Sequence, residues 1–121
     1  MLETSPKTLA PVADYFKILS EVSRLQVLCC LKSGAKNVTE IIEMTGLGQA
    51  NVSKHLKAIA QMGMVSRTQV GVSVYYEISD PLIFELCELV CTRLGERLEY
   101  QSEQLKQLEG LHQKQKHRSL K

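Results

Sequence analysis

The chain has 121 residues, 44% of them hydrophobic and 23% charged, with a net charge of +2 at pH 7. Those proportions suit one folded domain with a single core and exclude a disordered chain. With neither an eighteen-residue apolar run nor a charged-then-apolar leader, the chain reads as cytoplasmic with no membrane partner.

Ser5-Pro6 can open a first helix, although Pro11 suggests that its well-formed part begins near that residue, with Val12, Phe16 and Leu19 on one face. A second helix is expected from about Val22 to Ser33, with Leu25, Leu28, Cys29 and Leu31 toward the core and Gly34 as its stop. Asn37 caps a third, Glu40 standing at the capping-box position, and Gly46 ends it. The fourth runs from about Gln49 to Met62, burying Val52, Leu56, Ile59 and Met62 and leaving Asn51, Ser53, Lys54 and Lys57 outward.

Val65 to Val70 and Val74 to Ile78 alternate around Gly71 as the two strands of a hairpin. Ser79-Asp80-Pro81 then starts a last helix, expected over 80–112 and fraying beyond Glu109. Along it Leu82, Leu86, Leu89, Val90, Leu94 and Leu98 repeat at three and four residues, and Leu105, Leu108 and Leu111 resume the pattern. One small domain cannot cover so long a stripe, so a homodimer is expected.

The whole chain, 1–121, therefore reads as a single domain, mainly α with a small β-hairpin. Residues 37–62 form a helix-turn-helix whose second helix would lie in the major groove of double-stranded DNA; 65–78 form a wing. Charge supports this. From Met44 to Tyr76 there is no acid, while Lys54, Lys57 and Arg67 are present, as attraction to phosphates requires.

At this point the chain resembles the ArsR/SmtB family of winged-helix repressors. The likeness is carried by Leu19-Ser20-Glu21-Val22-Ser23-Arg24-Leu25-Gln26-Val27-Leu28, Val52-Ser53-Lys54-His55-Leu56, Met62-Gly63-Met64-Val65 and Val74-Tyr75-Tyr76. The family implies a homodimer joined through its first and last helices, bound to an operator palindrome and released by an inducer. By position, Gln49, Asn51, Ser53 and His55 match its DNA-reading residues, with Lys54 and Lys57 on phosphates and Arg67 on the wing. His55 has a second reading as a packed helix residue, one turn from Val52 and Ile59. Val70-Gly71-Val72 lacks the basic wing tip of many relatives, and Gly48 stands where a Ser cap is common.

Both familiar metal sites of that family are missing their ligands. Asn37 and Thr39 replace a Cys-x-Cys pair in the third helix. In the last helix Asp80 and Glu96 match a zinc set, but Leu82 and Arg93 stand at its His positions. No metal or other cofactor is expected. Nor is an enzyme, because a thiol enzyme would want Cys-x-x-Cys at a helix start or a Cys-His pair, and neither stands near Cys29.

Four cysteines remain. Cys29 and Cys30 are adjacent, so both cannot face the core of one helix, while Cys87 and Cys91 lie four apart on the last helix. Leu28-Cys29-Cys30-Leu31 is similar to a segment of redox-sensing members of the family. Three chemistries stay open: oxidation of Cys29 and Cys30, with Cys87 and Cys91 as secondary thiols; a sulfide- or persulfide-formed bridge from Cys29 to Cys91; and thiolate capture of arsenite or a soft metal by Cys29 or Cys30 with Cys87 and Cys91.

Overall fold

The computed structural model describes residues 4–119, with side chains through Gly110. Contacts divide the chain into two units, one ending at Pro81 and one beginning at Leu82. The division departs from a single domain because a long helix makes most of its contacts along itself.

The first unit opens with α1 (Pro6–Ile18), which starts a full turn before Pro11. Pro6 sits where no N–H is required, and the Ser5 carbonyl accepts from the amides of Thr8 and Leu9 at 3.1 and 3.0 Å. Pro11 lies inside the helix and forgoes one bond. In α2 (Val22–Cys30) the helix ends three residues before Ser33, and Leu31–Ser33 tighten into a 3₁₀ turn. Its buried stripe is Val27, Leu28 and Cys30, with Leu31 just beyond, and Cys29 is exposed. That reverses the expectation for Cys29: Cys30 lies three residues after Val27 on the inward face, and its neighbour is turned about 100° away.

Asn37 caps α3 (Val38–Thr45) as its sequence requires. Its side chain accepts from the Glu40 amide at 2.9 Å, and the Glu40 carboxylate accepts from the Asn37 amide at 3.0 Å. Gly46 closes α3 at φ 74°, a left-handed turn that glycine adopts without strain. The chain then enters α4 (Gln49–Gln61). Val27, Leu28, Ile41, Val52, Leu56 and Ile59 are buried and supply the three-helix core; burying each such side chain stabilises the fold by about 1.5–3 kcal/mol.

Three antiparallel strands complete the unit, in the order β1 (Lys36–Asn37), β3 (Ser73–Ile78), β2 (Val65–Val70). The hairpin pairs Val65 with Ile78 through Val70 with Ser73. Gly71 takes φ 63° and Val72 does not share the positive φ, which is the pattern of a type II′ turn. The additional strand β1 places Lys36 opposite Tyr76 and Asn37 opposite Tyr75. At the other end, the Ser79 hydroxyl donates to the Gly63 carbonyl at 2.8 Å and fastens the wing's exit to its entry.

The second unit is α5 (Leu82–Ser119), 38 residues and thus roughly 57 Å long. It runs past 112, since the Gln and Lys residues there favour helix and supply no stop. Leu89, Val90, Leu94, Leu98, Leu105 and Leu108 are each more than half exposed along it. The Leu111 of the expected stripe lies outside the described side chains. Among the described residues, no helix is long and apolar enough to cross a membrane.

Replacing Asn37 by alanine removes one half of the capping box and is expected to cost about 1 kcal/mol, read as a lower urea midpoint with an unchanged denaturant slope. An unaltered midpoint would show that the cap contributes nothing to α3.

Candidate nucleic-acid interface

Helical periodicity divides α4 into two faces. Val52, His55, Leu56 and Ile59 are buried, whereas Gln49, Asn51, Ser53, Lys54 and Lys57 are all exposed. Three- and four-residue spacings place Gln49 above Ser53, Ser53 above Lys57, and Asn51 beside Lys54, so amide, hydroxyl and ammonium groups share one solvent-facing strip. Gly48 precedes the helix with no side-chain cap. The first amides of α4 therefore stay available at its positive dipole end, a favourable place for a phosphate.

Arg67 is exposed on β2, opposite Tyr76 of β3. A concavity of about 360 Å³ joins the helix to the wing, with Ser53, Lys57 and Gln61 on one wall and Arg67 and Tyr76 on the other. Two cations and no acid line it. The wing tip is different in character: Val72 is fully exposed, and the Gln69 side-chain amide donates to the Gly71 carbonyl at 3.3 Å.

His55 departs from the outward set. It is only 2% exposed, and its Nε2 lies 2.8 Å from the Ser23 hydroxyl of α2. Ser23 in turn donates to Glu21 Oε1 at 3.2 Å, and Arg24 pairs with Glu21 Oε2 at 2.9 Å while donating to the Ile18 carbonyl at 3.0 Å. A carboxylate only accepts, so the single Ser23 proton points to Glu21 and Nε2–H of His55 must donate to Ser23. Val52, three residues before, and Ile59, four after, carry His55 inward. It braces α4 against α2, and the sequence-derived assignment of His55 to the outward DNA-facing set does not fit this placement. Ser23 and Glu21, quoted above only as part of a motif, acquire this bracing role; a buried-stripe position shared by His55 was the signal that could have found it.

The two adjacent thiols also separate. Cys29 is exposed; Cys30 is 5% exposed and its thiol donates to the Met44 sulfur of α3 at 3.4 Å. Burial pushes the Cys30 pKa up, with Lys36 opposing and Glu40 reinforcing. On α5, Cys87 is half-buried and Cys91 exposed. Among the described residues, no group of three or more His, Cys, Asp or Glu side chains is placed to hold a metal ion.

Burial lowers the pKa of His55, against the opposing influence of Glu21. The native state thus holds this ring neutral while the unfolded chain binds a proton below about pH 6.5, so stability is full above that pH and falls as pH drops through it. His55→Gln is expected to flatten this acid limb of a stability–pH curve while lowering stability at neutral pH. A slope equal to wild type would assign the acid sensitivity to another group.

The profile described as bacterial regulatory protein, arsR family, matches residues 21–67, from α2 through the start of the wing. A probable mercury resistance operon repressor of Streptomyces lividans is 31% identical over 71% of this chain, which spans 66%, just under two thirds, of that protein's length. The transcriptional repressor PagR of Bacillus anthracis is 32% identical over 64% of this chain and 79% of its own. The homodimeric winged helix-turn-helix domain of a possible ArsR-family regulator from Mycobacterium bovis superposes with a TM-score of 0.68 at 31% identity, covering 81% of this chain and 93% of that one. Motif, fold and relatives agree: the chain belongs to the arsR family of bacterial regulatory proteins, which are DNA-binding transcriptional regulators and not enzymes.

Proposed function

We propose that the protein is a homodimeric transcriptional repressor whose hold on operator DNA is relieved by oxidation of Cys29 and Cys30. The exposed row of leucines on α5, together with exposed Phe16 on α1, supports a two-fold partner. The dimer sets two α4 helices into major-groove half-sites about one helical turn, ~34–36 Å, apart. Gln49 and Asn51 pair with base edges and Ser53 adapts to either. Lys54, Lys57 and Arg67 hold phosphates. The uncharged wing tip adds no further phosphate contact.

The observation that carries the signal assignment is the division of labour between the two thiols. Cys29, open to solvent, attacks a peroxide oxygen as its thiolate; the O–O bond breaks, hydroxide leaves, and Cys29 becomes a sulfenic acid. The Cys30 sulfur then attacks Cys29, water leaves, and a vicinal disulfide forms. Adjacent Cα atoms are about 3.8 Å apart, short of the 4.4–6.8 Å usual for a disulfide. Ring closure therefore strains the backbone where α2 already tightens into a 3₁₀ turn, and it draws Cys30 away from Met44 at the back of the helix-turn-helix. A second reading, sulfur-species, arsenite or soft-metal sensing by Cys29 with Cys91 or Cys87, draws support from the mercury resistance repressor among the relatives.

Two measurements test these parts separately. Lys57→Ala is expected to reduce the salt dependence of operator binding by about 1.8 in log–log slope, about 0.9 for each of the dimer's two copies, and Gln49→Ala to cost ~1–3 kcal/mol per half-site on operator but little on random DNA. Unchanged values in both would remove α4 from the DNA interface. For the signal, fluorescence anisotropy should show peroxide releasing the operator from wild type but not from Cys29→Ser or Cys30→Ser. Equal release from both variants would sink the thiol mechanism, and release by arsenite alone would favour the second reading.

A further inference from the structure

Met44 accepts the Cys30 thiol proton at 3.4 Å, yet it is itself 57% exposed on α3. Met64 is buried and Met62 half-buried, so Met44 is the most exposed methionine among the described side chains. A thioether has no proton to lose, and its reaction with two-electron oxidants follows access rather than pKa. We propose that Met44 is an oxidation site in its own right, taking one oxygen from an oxygen-donor oxidant such as hypochlorous acid, and that the sulfoxide unfastens α3 from α2.

In that step the Met44 sulfur lone pair forms the S–O bond. Two electrons pass to the oxidant, whose O–Cl bond breaks to release chloride, and the hydroxyl proton goes to water. A soft, apolar acceptor becomes a polar, pyramidal group. The added oxygen does not fit between sulfur atoms 3.4 Å apart. Because Met44 already faces water, the sulfoxide swings outward and leaves the buried Cys30 thiol without its acceptor. The altered residue lies just before the Thr45–Gly46 helix end, whose geometry aims α4: the Gly46 amide donates to the Ile42 carbonyl at 2.8 Å and the Leu47 amide to the Thr45 hydroxyl at 3.3 Å. The site needs neither Cys29 nor a disulfide, and its product, unlike theirs, survives a dithiol.

The test treats the full-length protein with limiting hypochlorous acid and then with a dithiol, which reverses sulfenic acids and disulfides but not a sulfoxide. Peptide mapping is expected to find one oxygen on Met44 before Met62 or Met64. Operator affinity should fall roughly fivefold or more, the low end of allosteric coupling, and return after methionine sulfoxide reductase. Met44→Leu should show no dithiol-resistant loss. Earlier oxidation of Met62 or Met64, no dithiol-resistant loss in wild type, or an equal loss in Met44→Leu each overturns the assignment. The dithiol-reversible part of any response belongs to Cys29 and Cys30 and is scored separately.

Discussion

The buried stripe of α4 is the constraint on which the arrangement of the first unit depends. One helix must hide Val52, His55, Leu56 and Ile59 while leaving Gln49, Asn51, Ser53, Lys54 and Lys57 in water. Apolar burial supplies most of the energy but is indifferent to small rotations about the helix axis. The His55–Ser23 bond is directional, and through Glu21 and Arg24 it reaches the C-terminal carbonyls of α1. Helix orientation is thus set jointly by packing and by this chain of hydrogen bonds, within which His55 Nδ1 and Arg24 Nε are buried without a partner.

Much of this was legible in the residues because the signals were local. Asn37 and Glu40 are three apart, and Gly46 and Gly71 stand where the backbone turns left-handed, although the wing strands do not bury alternate residues. Where the cause is distant, the sequence is silent. β1 is two residues long and exists only because Tyr75 and Tyr76, far along the chain, supply a ladder. The phase of α2 differs by one residue from its leucine spacing: Leu25 and Leu28 suggest a stripe through Cys29, but Val27, Leu28 and Leu31 dominate and bring Cys30 inside. His55 is the instructive case. Its spacing from Val52 and Ile59 pointed inward, and its polar chemistry pointed outward; spacing prevailed because Ser23 provides a partner there.

Sulfur chemistry gathers at one joint of the fold. Cys29, Cys30 and Met44 occupy the end of α2 and the end of α3, where helical hydrogen bonding gives way to 3₁₀ and left-handed turns. Helix ends open locally at lower free energy than a helix interior, so a small covalent change there is answered by the opening of one turn rather than by repacking around Ile41 or Ile59. The three residues also differ in exposure: Cys29 and Met44 are exposed, and Cys30 between them is buried.

Asn37 holds two posts at once: it caps α3 and, through β1, lies in register with Tyr75 of the wing. The hairpin and the helix-turn-helix consequently meet at this one residue. One stretch of backbone thus serves the start of a helix and the edge of a sheet, so a change that loosens either is felt by the other.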